Sequence, residues 1–197
     1  MPKGTPLTPE EQTRVRREIV TACVPLFVEK GFHETSMQEI GAAAGLGKST
    51  LYDYFKTKDD ILIYYFEDQL SDLAEAAQKI AMQNKSADKR LRQIMEMYLE
   101  YMQANKNLFM KITMETQRLK VESQKQIQEK RHAYQDLIRV LIDEGIREGV
   151  FRKINALLAA RLLISAVSPV IFGSRSTGTP QDMLKDTLDI FFKGIEM

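Results

Sequence analysis

The chain has 197 residues, of which 44% are hydrophobic, and 28 Lys and Arg against 27 Asp and Glu leave a formal net charge of +1. This length accommodates one large domain or two small ones, and the balanced charge means that a surface for nucleic acid must arise from local arrangement. The single cysteine, Cys23, excludes an intrachain disulfide. The N-terminus lacks the apolar core of a signal peptide, and no apolar run approaches the roughly 20 residues that cross a bilayer. We therefore expect a cytoplasmic protein with no membrane partner.

The first helix is marked by Thr8-Pro9-Glu10-Glu11, a capping box with proline at the first helical position. Gly31 ends it, and Pro25 predicts a kink because proline cannot donate the backbone bond of a helix interior. Two short helices are expected next. Thr35 with Gln38 and Ser36 with Glu39 form two overlapping capping boxes for the first, which ends at about Ala44. Gly45 separates it from the second, which runs from about Gly47 or Lys48 to Phe55.

Apolar repeats with a period of 3.6 residues predict six further helices. The second is expected beyond the polar break Asn84 to Ser86, and the others are expected to start at Thr57, Leu108, Lys120, Asn155 and Thr179. Asn105-Lys106-Asn107 predicts a break between the second and third of these, and the fifth is expected to run unbroken from Asn155 to Gly173. The sequence therefore predicts an all-α fold. It has a three-helix domain over residues 1–57 and a six-helix domain over 58–197.

The stretch GAAAGLGKSTLYDYF, residues 41–55, supports two interpretations. Gly47-Lys48-Ser49 ends like a phosphate-binding loop, but that loop requires glycine five residues before Gly47, where Ala42 stands, and a buried strand before it. The alternative is a helix-turn-helix in which Gly45 makes the turn and Leu46 fills the space between the helices. This second interpretation accounts for more of the residues.

The second short helix then has one inward and one outward face. Leu51 and Phe55, four residues apart, anchor it inward. The side chains left outward are rich in hydrogen-bond donors, as contacts to phosphates and base edges require: Lys48, Ser49, Thr50, Tyr52 and Tyr54.

Residues 8–62 resemble the DNA-binding domain of the tetracycline-repressor (TetR) family of bacterial transcription regulators. The resemblance is carried by ACVPLFVEKG at 22–31, Phe32, Thr35-Ser36-Met37, Ile40, Ala43-Ala44-Gly45, Gly47 to Phe55, Lys58 and Leu62. Pro25 departs from the helix-forming residue usual in the family.

The resemblance implies roles for individual residues. Lys48, Ser49, Thr50 and Tyr52 would lie on a recognition helix in the major groove, and Gln38 would contact base edges. Tyr54 and Lys58 would contact phosphates, and Thr35 and Ser36 would hold a phosphate at the start of the preceding helix. For both tyrosines, half-buried packing is the alternative.

The resemblance also implies that the last two helices pair with their copies in a second subunit. The predicted interface residues are Leu157, Ala160, Ile164, Val167, Ile171, Leu184, Leu188, Phe191 and Ile195. Burial within one subunit is the alternative. A dimer would give the short recognition helix a symmetric second half-site in a palindromic operator.

Methionines and aromatic residues in the middle of the chain suggest a pocket for a small apolar effector. In the family that the chain resembles, binding of such an effector releases operator DNA. The candidate lining is Met95, Tyr98, Met102, Phe109, Met114, Tyr134 and Leu137. Ordinary core packing explains each of them equally well.

Catalysis has little support, because His33 and His132 have no metal-spaced partner or nucleophile nearby, and no cofactor or metal is expected. The expected partners are double-stranded operator DNA, a second copy of the chain and a small-molecule effector. A helical protein without a DNA role and a nucleotide hydrolase are the rival hypotheses, and repressor over activator rests on what is commonest in the family.

Overall fold

The computed structural model describes residues 7–117 and 119–195, without the side chains of residues 107, 108, 111, 112 and 114. These residues form helices and no extended strand. The helices are α1 (Pro9–Lys30), α2 (Met37–Ala43), α3 (Lys48–Tyr54), α4 (Lys58–Ala81), α5 (Ala87–Thr116), α6 (Val121–Arg147), α7 (Ala156–Ala166), α8 (Ser168–Phe172) and α9 (Pro180–Lys193). In this part of the chain, no helix has the length and apolar character that a membrane span needs. The predicted all-α fold is confirmed.

The helix starts follow the capping signals of the sequence. Thr8 accepts a hydrogen bond from the Glu11 backbone N–H at 3.2 Å and the Glu11 carboxylate accepts one from the Thr8 N–H at 2.8 Å. Thr179 begins α9 with the same reciprocal pattern. Each cap satisfies backbone donors that the first helical turn leaves without a partner. α1 continues through Pro25, whose ring is exposed.

Two predicted helix boundaries are wrong. No break occurs at residues 105–107: α5 runs through, and the Asn105 amide donates to the Tyr101 carbonyl one turn earlier at 2.8 Å. The expected single helix from Asn155 to Gly173 divides after Ala166. Pro169 explains the division, because its ring clashes with the carbonyl four residues before it and it donates no backbone bond.

The chain divides into two compact units, Met1–Asp68 with Leu108–Ile127, and Gln69–Asn107 with Gln128–Met197. The helices α4, α5 and α6 each contribute residues to both. The boundary predicted after Thr57 coincides with the start of α4 and otherwise stays a prediction.

The first unit has a core built around α1 and the start of α4. Its buried members include Ile19, Cys23, Phe27, Ile40, Leu51, Phe55, Ile61, Leu62, Tyr65 and Phe66. Leu119 and Ile127, far along the chain, are buried in the same cluster. The junction of α5 and α6 is therefore part of the core that supports α3.

A polar contact reinforces this junction. The Asp59 carboxylate, in the first turn of α4, accepts hydrogen bonds from the Lys120 backbone N–H at 3.4 Å and from the Ser123 hydroxyl at 3.2 Å. One carboxylate thus lies at the N-terminal ends of both α4 and α6, where backbone dipoles favour negative charge.

Candidate functional site

The helices α2 and α3 are held together by a tight turn. Gly45 has φ of +66°, a left-handed conformation that glycine adopts at low cost. The Gly45 N–H donates to the Ala42 carbonyl at 3.1 Å and the Leu46 N–H donates to the Gly41 carbonyl at 2.8 Å. Leu46 packs against the core of the first unit. This is the turn predicted for a helix-turn-helix.

The helix α3 is anchored from one side and open on the other. Leu51 is fully buried and Phe55, just past the last turn, is 3% exposed. Lys48, Ser49 and Thr50 are exposed. The open face therefore presents an ammonium group and two hydroxyls on a helix whose other side is fixed in the core.

The two predicted tyrosines are half-buried. Tyr54 packs against the core of the first unit, which is the packing role considered for it from the sequence. Gln38, on α2, is exposed, and Asp53 is the one carboxylate on α3. The roles of Tyr52, Tyr54 and Gln38 toward DNA stay predictions.

The start of α2 differs from the predicted phosphate site. Thr35 is 1% exposed and its hydroxyl donates to the Gly31 carbonyl at 2.8 Å, so its side chain cannot reach DNA from this position. Ser36 is the N-cap, and its backbone N–H and hydroxyl both donate to the Glu39 carboxylate at 2.8 Å. A carboxylate of the chain itself thus occupies the place predicted for phosphate.

Glu39 is also paired with Lys30 at the end of α1. Hydrogen bonds from Lys30 and Ser36 hold the pKa of the Glu39 carboxyl at about 2, well below its usual range. Such bonds favour the ionised form. The ion pair therefore ties α2 to α1 and supports the position of α3.

Lys58 has an internal role that the resemblance did not imply. Its ammonium donates to the carbonyls of Phe32 at 2.7 Å and His33 at 2.9 Å, and it lies 4.9 Å from the centre of the Phe32 ring. These contacts join the start of α4 to the turn after α1. A direct phosphate contact by Lys58 would compete with them.

Two cations near α3 were missed from the sequence. Lys56 donates to the Tyr52 carbonyl at the end of α3. The Arg16 guanidinium, on α1, lies 5.7 Å from the ring centre of Phe55 and 5.8 Å from that of Tyr64. The sequence could have indicated Lys56, because it follows the second short helix directly. The position of Arg16 near Phe55 depends on tertiary packing and could not be predicted from the sequence.

The predicted dimer residues are mostly internal to one chain. Six are buried in the described part of a single protomer: Ala160, Val167, Ile171, Leu184, Leu188 and Ile195. Ile164 and Phe191 are half-buried, and only Leu157 is exposed. The six buried residues therefore fit the alternative of burial within one subunit, and a role of the predicted residues in a dimer stays a prediction.

Several large apolar side chains of the same two helices are exposed, and Leu157 is the one among them that was predicted. On α7, Leu157, Leu158 and Leu162 are 44%, 53% and 56% exposed, and Ile190 on α9 is 76% exposed. We call these four residues the outer apolar face. Since α7 is apolar nearly all round, periodicity could not tell which stripe faces the chain's own core.

The structure brings only part of the predicted pocket together. The rings of Tyr98 and Tyr134 stack with centres 6.0 Å apart, and Met95 and Met102 are buried in the same unit. Phe109 belongs to the first unit and packs against the core of that unit, and the side chain of Met114 lies outside the described residues. Leu137 is half-buried and lines an open depression of about 370 Å³ with Gln78 and Val140.

Other candidate chemistry is weak. Cys23 is fully buried, and burial raises the pKa of its thiol to about 12, which makes it a poor nucleophile. Within the described residues, no three His, Cys, Asp or Glu side chains are grouped as metal ligands.

Two family models match the chain. One, described as "Bacterial regulatory proteins, tetR family", matches residues 19–65. The other, "Tetracyclin repressor-like, C-terminal domain", matches residues 84–195. The first includes α2, the turn and α3.

Individual proteins are similar over most of their length. The fatty acid metabolism regulator protein of Bacillus subtilis is 23% identical over 78% of this chain and 80% of its own. The crystal structure of the TetR-family regulator PfmR from Thermus thermophilus shares 26% identity with a TM-score of 0.71, covering 91% of this chain and 99% of that one. That of FadR from Bacillus subtilis in complex with stearoyl-CoA shares 22% identity with a TM-score of 0.79, at the same coverages.

Proposed function

The chain belongs to the TetR family of transcription regulators, and from this premise we propose that it represses transcription by binding a palindromic operator as a dimer. The observation that carries the proposal is the open face of α3, where Lys48, Ser49 and Thr50 are exposed beside the fully buried Leu51. A helix held rigidly by its inner side can present these groups to base edges and phosphates.

Dimerisation is supported by the outer apolar face. Leu157, Leu158 and Leu162 on α7 and Ile190 on α9 expose apolar surface that a second subunit would cover. Two short recognition helices related by a twofold axis would read two half-sites of one operator. The dimer thereby supplies the length of DNA contact that one seven-residue helix lacks.

The effector is proposed to be an acyl compound. Bacillus subtilis FadR was solved with stearoyl-CoA, and a similar protein is a fatty acid metabolism regulator. Release of DNA would follow from movement of α4, α5 or α6, because each of these helices contributes residues to both compact units. Such a ligand must bind the released conformation more tightly than the DNA-bound one.

Regulation without catalysis is the proposed role, exercised on chromosomal DNA in the cytoplasm. The test is fluorescence anisotropy with labelled DNA from immediately upstream of the protein's own gene and a scrambled duplex as competitor. Salt-dependent binding that survives the competitor is the expected result. Equal and weak binding to both duplexes by a folded dimer would favour a ligand-binding protein without a DNA role, and Lys48-dependent ATP or GTP binding would favour a nucleotide hydrolase.

A further inference from the structure

One buried hydroxyl in the second unit, that of Tyr134 on α6, has no hydrogen-bond partner among the described residues. The side chain is 4% exposed. Because buried polar groups are nearly always hydrogen-bonded, such a group calls for a specific explanation. A ligand atom that forms a hydrogen bond with the Tyr134 hydroxyl is one such explanation.

Two further donor side chains are related to Tyr134, one by ring stacking and one by its position on the same helix. Tyr98, on α5, stacks its ring on that of Tyr134 at an angle of 26°. Arg131 precedes Tyr134 by three residues on α6, so the two side chains share one side of the helix. Burial raises the pKa of both phenols and lowers that of the Arg131 guanidinium, and the Arg131 charge partly offsets the effect on Tyr98.

The residues beside these donors are apolar and adaptable. Met95 and Met102 stand three residues before and four after Tyr98 on α5, and both are almost fully buried. Ile138, one turn beyond Tyr134, is fully buried. Methionine side chains repack around varied apolar shapes. The cluster therefore combines hydrogen-bond donors with an apolar surface able to adjust to a chain.

We propose that Tyr134, Tyr98 and Arg131 bind the carboxyl-derived head of an apolar effector, either a free carboxylate or a thioester carbonyl. The guanidinium has donors and no acceptor, and phenols donate readily, so an oxygen with lone pairs complements all three. A negatively charged oxygen would also be attracted by the positive charge of the Arg131 guanidinium. An amine head would be repelled by it. This inference rests on the proposed function and assigns the head group of its effector.

The experiment uses the full-length protein and the variant Tyr134→Phe, which removes one oxygen atom and keeps the ring. Tyr101→Phe is the matched control, because the Tyr101 hydroxyl, on α5, already donates to the Gln69 side chain. Calorimetry measures the dissociation constants of octanoate, octanoyl-CoA and octanol, and of the corresponding hexadecyl compounds. Thermal unfolding without ligand is measured in parallel.

Tyr134→Phe is expected to bind the acid or its thioester about ten-fold more weakly and to lose clearly less affinity for the alcohol, whose hydroxyl accepts a hydrogen bond but is not a carboxyl-derived oxygen. Its unfolding temperature without ligand should equal or exceed that of the wild type, since the lost hydroxyl has no hydrogen-bond partner among the side chains and backbone that the structure describes. Tyr101→Phe should keep wild-type ligand affinity. If the affinity for only one of these two compounds, the acid or the thioester, falls in Tyr134→Phe, that compound carries the natural head group.

A second measurement covers the case in which Tyr134→Phe folds poorly. Tyr98→Phe removes the neighbouring hydroxyl and should give the same selective loss. Infrared spectroscopy with ligand labelled by carbon-13 at the carboxyl carbon measures the carbon–oxygen stretch of the bound ligand. Its frequency should differ from that of the free ligand in the wild type, and this difference should disappear in Tyr98→Phe.

Three results would overturn the inference. These are wild-type affinity of Tyr134→Phe for every compound, equal loss for acid and alcohol, or binding of none of the compounds by a wild type that still binds its operator. The last result would leave the proposed DNA function intact. Failure of the wild type to bind any operator would instead overturn the proposed function.

Discussion

The helices α3 and α7 are both short and both leave one side uncovered, yet they expose opposite chemistry. α3 buries Leu51 and exposes Lys48, Ser49 and Thr50. α7 buries small residues and Leu163 while Leu158 and Leu162 are more than half exposed. The uncovered side of each helix therefore indicates the kind of partner that it needs.

The polar face of α3 is stable in water without any partner, because its groups are hydrated. The outer apolar face on α7 and α9 gains free energy only when another apolar surface covers it, at about 25 cal/mol for each Å² removed from water. We infer that the dimer is the resting state of the protein, whereas the DNA complex forms and dissociates. The predictions below test this difference.

The largest effect is expected from a charge in the outer apolar face. Leu162→Asp should raise the dimer dissociation constant by about 100-fold or more, because an unpaired carboxylate would be buried between subunits. Operator affinity should fall with it. Analytical ultracentrifugation measures the assembly state, and Met82→Asp, at a residue 75% exposed beyond α4, is the matched control. A Leu162→Asp protein that remains dimeric would place the interface elsewhere.

A smaller effect is expected on α3. Lys48→Ala should weaken operator binding by about 1–3 kcal/mol and leave the dimer intact. Lys153→Ala, an exposed lysine between α6 and α7, controls for the loss of one positive charge. Anisotropy titrations of both variants at two salt concentrations separate a base contact from a phosphate contact. If Lys48→Ala instead dissociated the dimer, α3 would have a role in assembly.

Local signals in the sequence predicted much of the first unit. Capping boxes at Thr8 and Ser36, the glycine at Gly45 and the spacing of Leu51 and Phe55 act within a few residues, so each could be interpreted without knowing the fold. The structure confirms all four. The internal roles of Thr35 and Lys58 could not be predicted in this way, because their partners are the carbonyls of other segments.

The second unit was harder to predict for the same reason. The stripe of Leu184 and Leu188 on α9 is apolar, and so is the exposed Ile190. Periodicity identifies an apolar stripe but not the surface that covers it. The choice between own core and partner was therefore open in the sequence, and the burial of six of these residues fits the alternative of packing within one subunit.

The next prediction concerns the support of α3. Lys58→Met should lower the free energy of unfolding by about 1–2 kcal/mol, because the carbonyls of Phe32 and His33 lose a charged donor. Chemical denaturation measures this change, and Lys125→Met, at an exposed lysine on α6, is the control. If Lys58→Met had wild-type stability but bound the operator more weakly, Lys58 would contact a DNA phosphate, as the resemblance implied.

The mildest effect is expected at Glu39, which supports α3 through its bonds to Ser36 and Lys30. The pKa of its carboxyl is about 2 in the folded protein, below the ordinary value of about 4.3. A lowered pKa stabilises the folded state above the ordinary value, and this contribution disappears as pH falls from there toward the folded value. Glu39→Gln should therefore unfold at a lower temperature than the wild type at neutral pH, and the difference should shrink below about pH 4.

Thermal unfolding between neutral pH and about pH 3 measures this convergence, with Glu34→Gln as the control at an exposed carboxylate in the turn before α2. A difference that stays constant with pH would mean that Glu39 acts by packing and not by charge. If the predicted convergence occurs, the α1–α2 ion pair holds in place the helix turn from which α3 extends. The orientation of the exposed polar face of α3 would then depend on the Glu39 carboxylate, which lies at the start of α2, where the resemblance had implied a DNA phosphate.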